Sequence, residues 1–364
     1  MKKSIALVMI VKNEEKSLSR CLESVKNHVD DMIILDTGSK DRTIDIAHSH
    51  GARVYQWEWQ DDFSKARNES LKYSKCDFNL VLDADEYILK WDNEAIKDFM
   101  NMDKPHIGDI KILSSFKSFD GTDDISWSHV ARFLPKGIFY KGIIHEQPDS
   151  SLPHKMIPIV VKHDGYHHHE AIENEKNSRN IALLTKTLEA DPQNTYYRYK
   201  LATEYKRIND LESALKHMDL AYDSVSRLSS VYTSVIVDYI YLLIECKDYK
   251  SALKIIENEK MYMNKDSGFH FVSGLLYVKL ILSDVKKYIE YFNRIEDSFL
   301  KCLKIGEGSG YRGVIGTGSF AALYNLGVFY EMTKKTDKAK ECYEKAAAYD
   351  YEPAKNRLKL ITKN

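Results

Sequence analysis

Five cysteines in 364 residues (Cys21, Cys76, Cys246, Cys302 and Cys342) are few, widely scattered and odd in number. That excludes a disulfide framework or a cysteine zinc site and predicts reduced thiols in a cytoplasmic protein. Net charge is nearly absent too: 53 Lys and Arg stand against 54 Asp and Glu, leaving −1. Nothing in that balance favours nucleic acid or an anionic membrane as partner. No apolar run approaches the ~20 residues needed to cross a bilayer, so no membrane span is expected. The opening, MKKSIALVMIVKNEE, has the lysines and apolar stretch of a secretory signal. Yet Asn13-Glu14-Glu15 closes the run after about eight residues and no small-residue cleavage site follows, so it reads as a first strand.

What the chain does have is length and alternation. A chain this long exceeds one ordinary core, and two domains are expected, residues 1–168 and 169–364. In the first half, residues 4–11, 32–35, 54–57 and 78–82 read as strands. Residues 16–27, 41–48 and 63–73 read as helices between them, the second capped by Asp41. Strands separated by helices imply βαβ units and a parallel sheet, and shorter strands at 110–116, 130–133 and 156–161 complete a mixed sheet. From about residue 170 the pattern is helical. Leu201, Ala202, Tyr205, Ala214, Met218 and Ala221 recur with identical internal spacing as Leu326, Gly327, Tyr330, Ala339, Tyr343 and Ala346. This small/large pattern suits tetratricopeptide-like helix pairs, with degenerate pairs between the copies, one of them marked by Ala252 and Ile256.

The chemistry-bearing residues cluster at strand ends. Asn79–Glu86, NLVLDADE, runs an apolar strand into two aspartates one residue apart, and strand alternation would turn Asp83 and Asp85 to one side. Such a carboxylate pair can hold a divalent cation whose other ligands are phosphate oxygens. Asn13-Glu14 follows the first strand, and the segment from Asp36 to Thr43, DTGSKDRT, follows the second. The segment from Asp61 to Ser70, DDFSKARNES, opens the helix before the fourth. In a parallel sheet these ends share one edge and converge on one crevice. A nucleotide needs groups of this kind: carboxylates for base and ribose, a cation for the diphosphate, acids for its metal.

In order and spacing, MIVKNEE, DTGSKDRT, DDFSKARNES and VLDADE resemble the family 2 glycosyltransferases of GT-A fold over roughly the first 165 residues. With KGIIHEQ (Lys141–Gln147), HDGY (His163–Tyr166) and the repeats, the layout is similar to the sublancin-type peptide glycosyltransferases. The resemblance implies an α/β GT-A domain, a Rossmann-like mixed sheet, followed by an all-α repeat domain. It further implies inverting transfer of a hexose such as glucose from a UDP-sugar to Cys or Ser of a peptide such as a bacteriocin precursor, with Mg²⁺ or Mn²⁺. Val11, Asn13, Glu14 and Ser39 would line the nucleotide pocket, Asp36 would accept from the uracil N3–H, and Arg67 would face the diphosphate. Asp83 would hold the ribose or a metal-bound water beside Ala84. Asp85 would ligate the metal, with His163 as a further ligand.

Each residue also admits a structural reading. Glu14 could be an exposed helix-start acid, Asp36 to Ser39 a turn with a cap, and Arg67 a surface partner of Asp61 or Asp62. The His145-Glu146 pair precedes Pro148 after a β-like segment and could supply the base that takes the acceptor proton. Glu146 is the usual residue type and His145 suits a thiol; a hydrogen-bonded strand end is the alternative for His145. His163 could equally stand behind the metal's ligands. The run His167-His168-His169 is not a zinc site, since consecutive histidines in an extended chain cannot face one ion. Two other functions remain open: a cell-envelope glycan glycosyltransferase, and a non-catalytic repeat scaffold on a degenerate transferase domain. A homodimer is expected from exposed repeat helices.

Overall fold

A computed structural model describes residues 3–117, 123–164, 170–308 and 310–361. Contacts divide the chain into two compact units, Met1–Thr187 and Leu188–Asn364, so the division falls inside helix α5 (Glu170–Ala190).

The first unit opens with β1 (Ile5–Val11), α1 (Leu18–Val25), β2 (Asp31–Asp36), α2 (Thr43–Ser49), β3 (Arg53–Gln56), α3 (Phe63–Lys72) and β4 (Phe78–Val81). It continues through β5 (Glu86–Trp91), α4 (Asn93–Met100), β6 (Ile107–Lys117), β7 (Asp123–Pro135), β8 (Tyr140–Lys141), β9 (Gln147–Pro148) and β10 (His154–His163). Strands β1 to β4 are the parallel part, in the order β3-β2-β1-β4. Beyond β4 the order runs β7-β6-β10-β5, with β7 antiparallel to β4 and β5 antiparallel to β10. The second half of the sheet is longer and richer than its local pattern predicts. β6, β7 and β10 extend well past their apolar cores, while β5 and α4 have no counterpart in the sequence reading.

β1 is apolar throughout because both its faces are covered. Ile5, Leu7, Met9 and Val11 pack in the core that includes Leu18, Leu22 and Val25 of α1 and Ile96 and Phe99 of α4. Ala6 and Val8 face the opposite core, with Ile33 of β2 and Leu71 of α3. Strand order reverses between β1 and β4, so the crevice at their carboxyl ends is a topological switch point, the usual ligand position in such sheets.

The second unit is helical: α6 (Thr195–Arg207), α7 (Leu211–Ser224), α8 (Tyr232–Glu245), α9 (Tyr249–Glu259), α10 (Ser267–Ser283), α11 (Val285–Tyr288), α12 (Phe292–Ile305), α13 (Phe320–Met332), α14 (Thr336–Ala347) and α15 (Glu352–Ile361). The repeated positions are its core. Ala202, Ala214 and Ala221 on α6 and α7, and Ala339, Tyr343 and Ala346 on α14, are fully buried. At Gly327 a Cβ would lie 2.7 Å from the Tyr343 ring, so the glycine makes room for a tyrosine where the first copy pairs Ala202 with Met218. Gly274 of α10 admits Phe299 of α12 in the same way, at 2.8 Å, and Ala252 and Ile256 are buried on α9. All five cysteines are free thiols. Among the described residues no helix is long and apolar enough to cross a membrane.

Candidate active site

The loop after β1 is stitched to the loop after β2. The Asn13 N–H donates to Ser39 Oγ at 2.9 Å, the Lys40 N–H to Asn13 Oδ1 at 2.8 Å, and the Glu14 N–H to Thr43 Oγ1 at 2.7 Å. Asn13 adopts the left-handed φ of 56° that lets the chain turn there, a conformation asparagine tolerates better than most residues. Val11 is 3% exposed and its carbonyl accepts from the Thr37 N–H, so its side chain belongs to the core. Asp36 is 2% exposed. Its Oδ1 accepts from the Gly38 and Ser39 N–H groups, both at 3.0 Å, which makes the turn the residues suggest. Its Oδ2 is buried without a partner. Asp41 sits one residue ahead of the cap position of α2 and accepts from the Thr43 N–H at 3.0 Å.

Arg67 projects from the second turn of α3, a helix capped by Asp62 through the Lys65 N–H at 3.0 Å. It is no surface partner of Asp61 or Asp62. Its side chain is 6% exposed, with Nη2 at 2.7 Å from Asp83 Oδ1 and Nε donating to Glu146. Glu146 is held beside α3 because Asn68 bonds both the N–H and C=O of Tyr140, and the Phe63 N–H donates to the Ile143 carbonyl. Burial opposes the Arg67 charge, but Asp83 and Glu146 outweigh it and raise its pKa. Its Nη1 is buried without a hydrogen-bond partner. His145 has a left-handed φ of 52°.

β4 ends at Val81, so strand alternation does not extend to the two aspartates and they take separate partners. Asp83 lies between two arginines. Its Oδ2 accepts from Arg132 Nη2, also at 2.7 Å, so each oxygen faces a guanidinium. Burial pushes its carboxyl up, and the charges of Arg132 and Arg67 overcome this to hold it well below the usual carboxylate range. Glu86, fully enclosed, accepts from the Asp83 N–H at 2.9 Å, and burial drives it up to about 7 against the pull of Arg132. Ala84 is buried.

Asp85 turns instead to His163, with Oδ2 and Nε2 3.1 Å apart. His163 closes β10 opposite Glu86 of β5, and the Asp164 N–H donates to the Asp85 carbonyl. Burial disfavours the imidazolium, but the bond to Asp85 and the nearby carboxylates raise its pKa overall. Ser114 Oγ stands 3.4 Å from the other ring nitrogen, the kind of outer contact that fixes a ligand imidazole. The two arms of the crevice feel each other: burial raises the Glu14 carboxyl, and the charges of Asp85 and Asp83 add to it.

Residues 6–153 match the family described as Glycosyl transferase family 2. The first unit carries a glycosyl transferase family 2 domain. A TPR repeat-containing protein of Synechococcus elongatus is 32% identical over 224 residues, which is 58% of this chain and 54% of that protein. The SPbeta prophage-derived glycosyltransferase SunS of Bacillus subtilis is 26% identical over 267 residues, 70% of this chain and 63% of the relative. An uncharacterized glycosyltransferase of Rickettsia typhi is 34% identical over 120 residues, 32% of this chain and 40% of its own. The chain thus spans a little over half the length of the first two of these relatives.

Within the transferase domain, the residue that the motifs miss is Arg132. It comes from antiparallel β7, where Phe133 pairs with Leu80, so the next residue lies against the end of β4. Its signal is a single charge inside the short apolar run from Val130 to Leu134, which predicts a buried partner. Gly165, Tyr166 and the run His167, His168 and His169 lie outside the described residues.

Could the site hold a divalent cation? Among the described residues no three His, Cys, Asp or Glu side chains converge as a closed cage. Asp85 and His163 offer one carboxylate oxygen and one imidazole nitrogen, which suits Mg²⁺ or Mn²⁺ where phosphates and water complete the shell. The donor set fits.

Proposed function

We propose that this chain is a metal-dependent inverting glycosyltransferase that moves a hexose, glucose or a close relative, from a UDP-sugar to a cysteine or serine of a peptide. What carries the reading is bonding capacity left unmet along one crevice. Asp36 Oδ2 is an acceptor without a donor and Arg67 Nη1 a cationic donor without an acceptor; beside them Asp85 and His163, now paired with each other, are a carboxylate and an imidazole that a phosphate-bound cation could draw on. Buried polar groups are ordinarily satisfied, so such exceptions call for a ligand. A base N–H, a diphosphate and a phosphate-bound cation answer them in order along a nucleoside diphosphate sugar.

Asp85 and His163 would hold Mg²⁺ or Mn²⁺, and the ion supplies Lewis-acid relief of charge on the departing UDP. Arg67 faces the diphosphate with one nitrogen while orienting Glu146 with another. Glu146 then takes the acceptor proton as the acceptor attacks the anomeric carbon from the far side. A thiol acceptor, with a pKa of ~8.5, gives up its proton far more readily than a serine hydroxyl. The helix pairs of the second unit would read the peptide, since stacked repeats of this kind build extended binding surfaces.

Mass spectrometry tests this directly. Incubating the protein and Mn²⁺ with UDP-glucose and Cys- or Ser-bearing peptides should add one hexose mass to the side chain. A hexose appearing only on glycan acceptors, with every peptide left unchanged, would overturn the peptide assignment.

A further inference from the structure

Two atoms at the ends of β2 and β3 are sealed from water and lack a hydrogen-bond partner: Asp36 Oδ2, an acceptor, and Trp57 Nε1, a donor. Their residues are neighbours through the backbone. Asp36 ends β2 opposite Gln56, the last residue of β3, and the next amide, the Trp57 N–H, donates to the Asp36 carbonyl at 2.9 Å. Both residues line one cleft of about 330 Å³, together with Gly38, Ser39, Gln56 and Glu58. Although close in the chain's fold, the two atoms do not satisfy each other.

Several features hold the pair as it is. Asp36 Oδ1 is fixed by two amides of its own loop, so the carboxylate cannot swing to shelter Oδ2. Gly38 has φ +103° and nothing lies within 4 Å of the place its Cβ would take, which leaves room over the loop for a flat group. A buried donor and a buried acceptor, each unpaired, are complementary to a ring that carries an N–H next to a carbonyl.

We infer that Trp57 is the second base-reading residue of the donor site: Asp36 Oδ2 accepts the ring N–H of uracil, and the Trp57 indole N–H donates to the adjoining C4 carbonyl, the one that cytosine replaces with an amino group. This rests on the nucleotide-sugar reading above and adds how the base is chosen. Cytosine has the same ring size but presents an acceptor nitrogen where uracil has N3–H. Against the Asp36 carboxylate it meets lone pair with lone pair, and its amino group meets the indole donor with another donor. A site whose buried polar groups stay unpaired with the wrong ligand discriminates strongly. Trp57 therefore contributes to the preference for UDP over CDP and not to packing alone.

Calorimetric titration of the full chain with UDP and with CDP, in the presence of Mn²⁺, provides the test. Wild type should prefer UDP. Trp57→Phe keeps an aromatic ring and removes the indole donor, and should lower the UDP-to-CDP affinity ratio by about tenfold, the worth of one net hydrogen bond. A packing role would weaken both nucleotides alike and leave the ratio unchanged, which would overturn the inference while sparing the nucleotide reading. Failure of wild type to bind either nucleotide would sink that reading and the inference with it. Should the variant not fold, the ligand can be changed instead. Wild type should bind 4-thio-UDP about tenfold more weakly than UDP and 2-thio-UDP about as well, because sulfur accepts poorly from the indole. Binding of 4-thio-UDP as tight as that of UDP would overturn the role of Trp57.

Discussion

Arg132 and Asp83 are joined at 2.7 Å across the β7–β4 boundary, and the same aspartate meets Arg67 at 2.7 Å on its other oxygen. Removing one partner of a buried pair leaves a charge behind. Arg132→Met should therefore destabilise the fold. With 36% of the Asp83 side chain exposed, solvent recovers part of the loss, and about 1–3 kcal/mol is expected. Urea midpoints measure it. Asp83→Asn in the Arg132→Met background should cost less than it does alone, because the arginine it would strand is already gone. Strict additivity would contradict the clamp.

Gly327 and Tyr343 test the repeat packing. Gly327→Ala gains helix propensity of about 1 kcal/mol but places a Cβ 2.7 Å from a fully buried ring. Overpacking of that kind costs about 1–3 kcal/mol, so a net loss is expected. Adding Tyr343→Met recreates the Ala202 and Met218 combination of the first copy and should recover stability. A neutral or stabilising single variant would show that the tyrosine yields freely.

Lys200 gives a pH dependence. Its ammonium lies over the rings of Tyr196 and Tyr199, and burial, then the charges of Arg312 and Arg207, push it down to about 8 from an ordinary 10.5. Between those values the unfolded chain binds more protons than the folded one, so this group makes stability rise with pH across that window. Below about pH 8 both states carry the charge and its cost to the fold is fully present. Lys200→Met should accordingly raise the Tm at pH 7 and remove that part of the alkaline rise. Parallel pH profiles for variant and wild type would contradict it.

Much of the crevice was legible in the sequence because its parts sit at the ends of parallel strands, where short apolar runs stop at polar residues. Asp36 and Asp85 are of this kind, His163 ends its strand likewise, and Arg67 was marked by the motif that opens α3. The small residues of the repeat were legible for a similar reason, since Ala202 and Gly327 hold fixed spacings within local helix pairs. What stayed hidden depends on pairing between distant segments. Arg132 reaches Asp83 through antiparallel register over 49 positions, and no spacing rule joins them. β5 follows an acidic turn at once and is organised by β10, more than sixty residues later by the register of Glu86 with His163. The divergence of Asp83 from Asp85 has the same origin, because the strand ends before either aspartate.

Glu146 bears on the chemistry itself. Glu146→Gln should depress transfer by about two to four orders of magnitude, the range for loss of a general base, with UDP affinity little changed. Rates within a few-fold of wild type would move the base elsewhere, to Asp61, Asp62 or Glu86, and leave Glu146 as the group that orients Arg67.

The most direct measurement is UDP release from UDP-glucose by the full chain, with Mn²⁺ or Mg²⁺ and then with excess EDTA. UDP should appear with metal, stop in chelator, resume when metal is restored, and be lost in Asp85→Ala, whose fold should remain intact by circular dichroism. Undiminished UDP release in chelator, or in folded Asp85→Ala, would contradict the metal-dependent account; nucleotide binding with no release under any metal would contradict catalysis altogether.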